Sequence, residues 1–297
     1  MLSGKTIGWI ALGVALLIGL FLVGRWWKGR GTDIAFAPYE EGYASKPDFA
    51  EVEQKYPLTP QQRASLTPQK LKELDQEQID QIYARLTSGP IPDGPHDGDL
   101  FFPKGSSGKA RISEIVGGGL KGAAAGLQVT KIEILGRALW KGKVFYRNDR
   151  LLRNRIDHLE FLQEFFPNPN EEAEVREIAV HGNKDQLYFP AKLYCGQSLL
   201  DSRRESIIID YAFTDEIDGY HAIPDKLAGR EGLIIRDEIR MVHPGFYLGR
   251  AYSGGSFLLN FTVYNEAAAK AGADEFLKTG AVTNDCWVGP QVVAAAQ

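Results

Sequence analysis

Cysteine is scarce. Two residues, Cys195 and Cys286, in a chain of 297 rule out a disulfide framework and a four-cysteine zinc site. A single bridge between them depends on geometry that spacing does not fix. The expected state is two buried free thiols, because unpaired cysteine packs as a small apolar side chain. A surplus of positive charge is missing as well. Lys and Arg number 34 against 38 Asp and Glu, and the first 31 residues hold Lys5, Arg25, Lys28 and Arg30 with no acid. The remainder carries 30 basic and 38 acidic residues, a net −8. Such a body has no electrostatic footprint for phosphate backbones, so nucleic acid is not expected as a partner. Neither a Walker A loop nor a G-x-S-x-G elbow occurs, which removes the chemistry built on those motifs.

Long apolar runs are absent with one exception. Between Lys5 and Arg25 lie nineteen uncharged residues, TIGWIALGVALLIGLFLVG, and about 20 apolar residues cross a bilayer core once. Trp9, Trp26 and Trp27 suit the interfacial belts. Signal-peptide cores run to only about 7–15 residues. Residues 1–30 are therefore expected to be an uncleaved transmembrane anchor, with the lipid bilayer as partner through residues 6–24. Three basic residues follow the apolar segment and Lys5 precedes it, so the Lys/Arg rule leans towards a cytoplasmic body.

Residues 31–58, rich in Pro, Gly, Tyr and acids and without a period, read as a tether. Residues 59–128 read as a helix- and loop-rich region. Thr59-Pro60 and Thr67-Pro68 each pair an N-cap with proline at the first helical position. Leu71, Leu74, Ile82 and Leu86, with Ile79 and Tyr83 beside them, predict one helix over 68–86. The turn-rich stretch after it gathers Asp93, His96, Asp97 and Asp99. Its spacing is not that of a calcium loop, and no metal is expected. Gly117, Gly119 and Gly122 form a lone G-x-G-x-x-G without the acid that ribose binding needs about 20 residues later. They read as a glycine/alanine loop or a surface for another chain, and no cofactor is expected.

From residue 129 the character changes. QVTKIEILG, WKGKVFYRN, LYFPAKLYC, SIIIDYAF, GLIIRDEIRMV, FYLGRAY and FLLNFTVYN are short, β-branched and aromatic, and bounded by turn residues. Only 155–180 breaks the series. Strands in succession without helical crossovers predict an antiparallel barrel or sandwich over 129–297, giving an α+β protein behind a transmembrane helix. The segment LGRALWKGKVFYR resembles the W-x-G-K-x-F strand of small bacterial lipocalin-like domains of the GXWXG type, through Trp140, Gly142, Lys143 and Phe145. Ala138 stands where that family has its leading glycine. The resemblance implies a calycin-like barrel with an interior ligand cavity, closed at one end by Trp140 as a structural residue.

Three strands can be registered by hand. His243-Pro244-Gly245 turns the chain so that Glu238 faces Arg250, Arg240 faces Leu248 and Arg236 faces Tyr252. Ser253-Gly254-Gly255-Ser256 turns it again, placing Tyr252 opposite Phe257 and Arg250 opposite Leu259. The period of two then gathers Arg236, Glu238, Arg240, Phe246, Arg250, Phe257 and Phe261 on one face. Rings and arginine forks together suit an amphipathic carboxylate ligand. On this register Glu238 is the structural partner of Arg250, and Arg240 is the freer head. The bland alternative is an ion pair on a solvated rim. Asp237, among Ile235, Ile239 and Met241, is the candidate for acid–base chemistry, since burial raises a carboxyl pKa. Three functions follow in order: a membrane-tethered binder of an amphipathic small molecule, a noncatalytic subunit of a membrane complex, and an enzyme using Asp237.

Overall fold

The computed structural model describes residues 33–39, 47–101, 139–157 and 175–289. The chain divides into two units, Met1–Ala35 and Phe36–Gln297, and the barrel with its helices belongs to the second. Among the described residues no helix is long and apolar enough to cross a membrane. The expected anchor segment 6–24, the glycine-rich stretch 117–126 and the strand expected at 128–136 lie outside the described residues.

Four short helices come first: α1 (Phe49–Lys55), α2 (Pro60–Ser65), α3 (Pro68–Glu73) and α4 (Gln76–Ala84). Helix α1 corrects the tether reading of 31–58. Asp48 caps it through the Ala50 amide at 2.8 Å and it buries Val52, but two turns are too short to display a period. Both Thr-Pro signals hold, with Thr59 and Thr67 accepting from the amides of Gln62 and Lys70. The single helix expected over 68–86 is two. Leu74 leaves α3 with an extended ψ of 153°, and Gln78 accepts from the Asp75 amide at 3.1 Å to start α4. Gln78 breaks the apolar stripe because it serves that cap.

Nine strands are described: β1 (Gly94–Phe101), β2 (Trp140–Tyr146), β3 (Leu151–Ile156), β4 (Glu177–Val180), β5 (Asn183–Gln197), β6 (Glu205–Asp210), β7 (Ile235–His243), β8 (Phe246–Ser253) and β9 (Ser256–Tyr264). Eight of them run β3-β2-β1-β9-β8-β7-β6-β5, and β3 pairs back onto β5, closing an antiparallel barrel. Gln186 of β5 pairs with Ile156 of β3 and with Glu177 of β4, so β4 lies on the other edge of β5, the edge shared with β6. The barrel begins before residue 129. Strand β1 lies in the turn-rich stretch, where its two glycines and Pro95 conceal it. A further helix, α6 (Glu266–Thr279), follows the barrel between the Asn265 cap and left-handed Gly280. It buries only Ala269 and Phe276, too little apolar surface for a period to show. The single turn Ala222–Asp225 between β6 and β7 is α5.

Phe145, Leu152, Ala191, Leu193, Ile207, Ile209, Ile239, Met241, Tyr247, Phe261 and Val263 form one continuous core inside the barrel. From Ile235 to Met241 the β7–β8 register is the expected one, with Glu238 opposite Arg250 and Arg240 opposite Leu248, but at the turn His243 rather than Val242 pairs with Phe246, across a register shift between Met241 and His243. The β8–β9 register begins as expected, with Tyr252 opposite Phe257, and then shifts: Ala251 pairs with Leu259 and Arg250 with Asn260. Leu258 is therefore a bulge, and one extra residue reverses every later side chain of β9. Phe261 moves to the interior, where its ring fills the space a side chain at Gly249 would need; a Cβ there would sit 2.2 Å from the ring.

One end of the barrel is sealed, the end of the β7–β8 turn. The strap Thr87–Ile91 crosses it, bonded by the Met241 amide to Thr87 O at 2.9 Å and by Tyr247 Oη to Pro90 O at 2.7 Å. Asn284 and Asp285 hold the strap from the other side, accepting from the amides of Gly89 and Ile91 at 2.9 and 2.7 Å. Cys286 is disulfide-bonded to Cys195 of β5, with Cα atoms 5.3 Å apart. The expected free thiols are thus corrected, because the fold brings residues 91 positions apart into bonding range. In the chain-entropy picture, closing a loop of that length contributes about 4–5 kcal/mol.

Candidate functional site

The face expected to line a cavity is the outer face of the barrel, and α4 roofs it. Arg240 is fully buried. Its Nε donates to Ser206 Oγ, Nη1 to Tyr83 O and Asp201 Oδ2, and Nη2 to Asp201 O and Arg204 O, at 3.0–3.3 Å. All five guanidinium protons are spent, so Arg240 is not a free head for a ligand. Arg250 pairs with Asp80 of α4 and donates through Nε to Tyr252 Oη at 2.9 Å. Glu238 accepts from Tyr252 Oη at 3.1 Å, which links it to Arg250 only indirectly, and from Ser198 Oγ, the Leu199 amide and Arg236. The expected pairing of Arg250 with Glu238 is corrected to Arg250 with Asp80, a partner about 170 positions away that no hairpin register reveals. Phe257 lies under the Arg250 guanidinium at 4.1 Å, Phe246 packs on His243 and Tyr264 at the sealed end, and Phe261 is inside. The arginine face is the seam that fastens helices to barrel.

The polar groups inside the barrel are different ones. Lys143 donates to Tyr211 Oη at 2.6 Å, Asn154 Oδ1 at 2.9 Å and Asp237 Oδ2 at 3.1 Å. The rings of Trp140, Tyr211 and Phe261 surround its ammonium at 5.2–5.4 Å. Burial alone would lower the Lys143 pKa, but Tyr211 and Asp237 reverse that and hold it above its ordinary value. Burial also pushes the Asp237 carboxyl up, against the pull of the ammonium. Trp140 Nε1 donates to the same Asn154 oxygen at 2.9 Å. The motif W-x-G-K-x-F therefore delivers a ring, the cation and a core phenylalanine to the interior. Gly142 is needed for the backbone itself: it has a positive φ of 137°, and a Cβ there would fall on the β1 backbone at His96 O and Gly98 N. Beside it, Arg155 Nη1 reaches Asp97 Oδ1 at 2.8 Å across β2.

At the end opposite the strap, the inward side chains are only partly buried: Trp140, Phe189, Ile235 and Leu259. Asp237 lies one inward position below Ile235, and 5% of its surface stays exposed. The connection 211–234 folds over this end and sends Tyr211 and Ala228 into the core. Its fastening is Asp225, fully buried, which accepts from the amides of Phe189 at 2.6 Å and His221 at 2.8 Å. Phe189 presents that amide because it bulges from β5 at a left-handed φ of 52°, and its carbonyl accepts from Asn154 Nδ2 at 3.1 Å.

No metal site emerges from the acids grouped by sequence. Asp93 accepts from the Arg147 amide, Asp97 pairs with Arg155 and His181, Asp99 pairs with Lys72, and His96 is buried against Phe145 and Tyr247. The one cluster of metal-type donors among the described residues is Cys195, Glu205 and Cys286, whose sulfurs are bonded to each other.

Arg240→Gln is expected to destabilise the fold by about 3–5 kcal/mol, the cost of stranding one member of a buried pair, measured by denaturant unfolding. A loss below about 1 kcal/mol would show that the seam bears little of the stability. Asp225 generates a pH prediction. Burial lifts its pKa from 3.8 to about 6, so between these values the folded chain keeps a proton that the unfolded chain has lost. The resulting stability is full below about pH 4 and is lost as pH rises through about 6, a fall of about 3 kcal/mol at 1.36 kcal/mol per unit. Asp225→Asn is expected to flatten that part of the profile; parallel profiles for variant and wild type would refute it.

No family model, curated protein or solved structure matches the chain.

Proposed function

We propose that this protein is a membrane-tethered binding protein for a small amphipathic molecule, taken up at the end of the barrel opposite the strap, beneath the 211–234 connection. The observation that carries the reading is the layering there. Four partly buried apolar side chains, Trp140, Phe189, Ile235 and Leu259, stand over the polar cluster of Lys143, Asp237, Tyr211 and Asn154. Small-molecule sites are apolar recesses with a few fixed polar groups, and this end has both. The lipocalin-like resemblance of the Trp140–Phe145 strand supports the same reading, and segment 6–24 supplies the tether. The Cys195–Cys286 bond favours a body on the oxidising side of the membrane, because structural disulfides rarely persist in the cytosol. That argument outweighs a charge rule resting on so few residues.

A noncatalytic subunit of a membrane complex is the second reading, and one observation favours it. Ile223, Leu227, Leu233 and Ile234 on the 211–234 connection are exposed, Leu233 by 57%. The Leu233 amide bonds to Leu227 O at 2.7 Å, drawing two of them together, and exposed apolar patches mark partner surfaces.

Titration of the full chain in nanodiscs with a neutral phenylnaphthylamine dye separates the two. Binding is expected, weakened at least about tenfold by Ile235→Trp, which blocks the mouth, a loss on the scale of one good contact. No binding by the wild type would leave the subunit reading in its place. For the compartment, thiol alkylation of freshly isolated membranes without reductant is expected to label neither cysteine. Full labelling of both would return the body to the cytoplasmic side.

A further inference from the structure

The ammonium of Lys143 has three protons, and Tyr211, Asn154 and Asp237 take all three. Among the described residues no cationic donor is left over for a ligand anion at this level of the barrel. Asp237 is the reverse case. Lys143 and Tyr211 both reach its Oδ2, and among the described residues no donor reaches Oδ1, while the residue keeps 5% of its surface exposed. A carboxylate only accepts hydrogen bonds. The open valence is therefore an acceptor with negative character, at the end of the barrel where Trp140, Phe189, Ile235 and Leu259 are only partly buried.

We infer that the molecule bound at this mouth presents a hydrogen-bond donor, an amine or a hydroxyl, to Asp237, and that carboxylates are rejected. The inference rests on the amphiphile-binding reading above and reverses the carboxylate expected from the arginine face. The arginines that suggested an anion lie outside the barrel, with Arg240 committed to five protein acceptors. A carboxylate entering head-first would bring a second negative group to Asp237 with no proton to share. An ammonium or hydroxyl completes the acceptor, and the rim rings of Trp140 and Phe189 suit a cation passing over them.

Three water-soluble probes of equal length test this: hexylamine, hexanol and hexanoate, each titrated into the full chain in nanodiscs and read as a rise in Tm. Hexylamine and hexanol are expected to bind at least about tenfold more tightly than hexanoate, the span of one charge-assisted hydrogen bond. Asp237→Asn, which leaves the Lys143 ammonium unopposed, is expected to move the preference towards hexanoate. If that variant fails to fold, Lys143→Met serves, with hexylamine binding expected to strengthen. Hexanoate binding to the wild type as tightly as hexylamine would overturn the inference while leaving amphiphile binding intact. Failure of all three probes together with the neutral dye would overturn the binding reading itself.

Discussion

Arg240 places a full positive charge where water does not reach, and the structure around it is arranged to satisfy that charge. An unpaired buried guanidinium costs several kcal/mol, so five acceptors from four residues, Tyr83, Asp201, Arg204 and Ser206, must hold their positions together. Those residues belong to α4, to the β5–β6 connection and to β6, so one side chain fixes the helical roof to the barrel wall. Arg250 repeats the arrangement one strand along, with Asp80 and Tyr252. Gln76 and Asn260 extend it to β9 through an amide contact at 2.7 Å. The seam is polar because its two surfaces carry groups that satisfy one another, and its side chains are withdrawn from solvent. It also explains why α4 buries Gln76, Asp80 and Gln81, which an amphipathic helix on an apolar wall would turn to solvent.

That seam marks the limit of what the sequence reveals. Closed antiparallel strands were legible because β5 to β9 carry short β-branched runs between turn residues, and Pro244-Gly245 locates the β7–β8 hairpin, although a register shift between Met241 and His243 separates the turn from the rest of the pairing. The alternation also separated two faces of β7 and β8 correctly: Asp237, Ile239 and Met241 on one, Glu238, Arg240 and Val242 on the other. Which face was inside was not legible. A mixed face of arginines and rings fits a cavity wall as well as a helix-covered exterior, and only the partner from α4 decides between them. The Leu258 bulge was hidden for a related reason. Leu258 and Leu259 are both apolar, so no change of polarity marks the extra residue, and Phe261 was assigned to the wrong face. Strands β1 and β3 escaped because Gly94, Pro95 and Gly98 in one and the charged run Arg153–Arg155 in the other lack strand composition.

The short W-x-G-K-x-F motif carried more than its length suggests. Trp140 and Lys143 both bond to Asn154 of the neighbouring strand, so one amide oriented by β3 fixes the ring and the cation together. Position 142 needs a glycine because its φ is positive and a Cβ there would fall on the backbone of β1. The sequence identified the motif and the burial of Asp237 separately. Nothing in it shows that Lys143 and Asp237, 94 positions apart, meet across the barrel, because their strands are separated in the sheet by β1, β9 and β8. Closure of the barrel makes that contact, and closure depends on the β3–β5 pairing.

The same closure couples the floor of the mouth to what covers it. Phe189 donates its amide to Asp225 of the overlying connection and accepts at its carbonyl from Asn154, which in turn holds Lys143. A left-handed φ at a phenylalanine is unfavourable by itself, and here both groups of the residue are bonded, one to the cover and one to the floor. Pro190 follows directly, where a strand tolerates proline because the bulge has already broken the ladder. In the proposed binding mode, a ligand head drawing on Asp237 acts on the partner of Lys143, and through Asn154 on the carbonyl of Phe189. The cover is thus joined to the Lys143 cluster by three consecutive hydrogen bonds rather than by general packing. On the proposed reading, a cover fastened in this way would respond to the polar end of a ligand, whereas one held only by apolar contact would respond to its bulk.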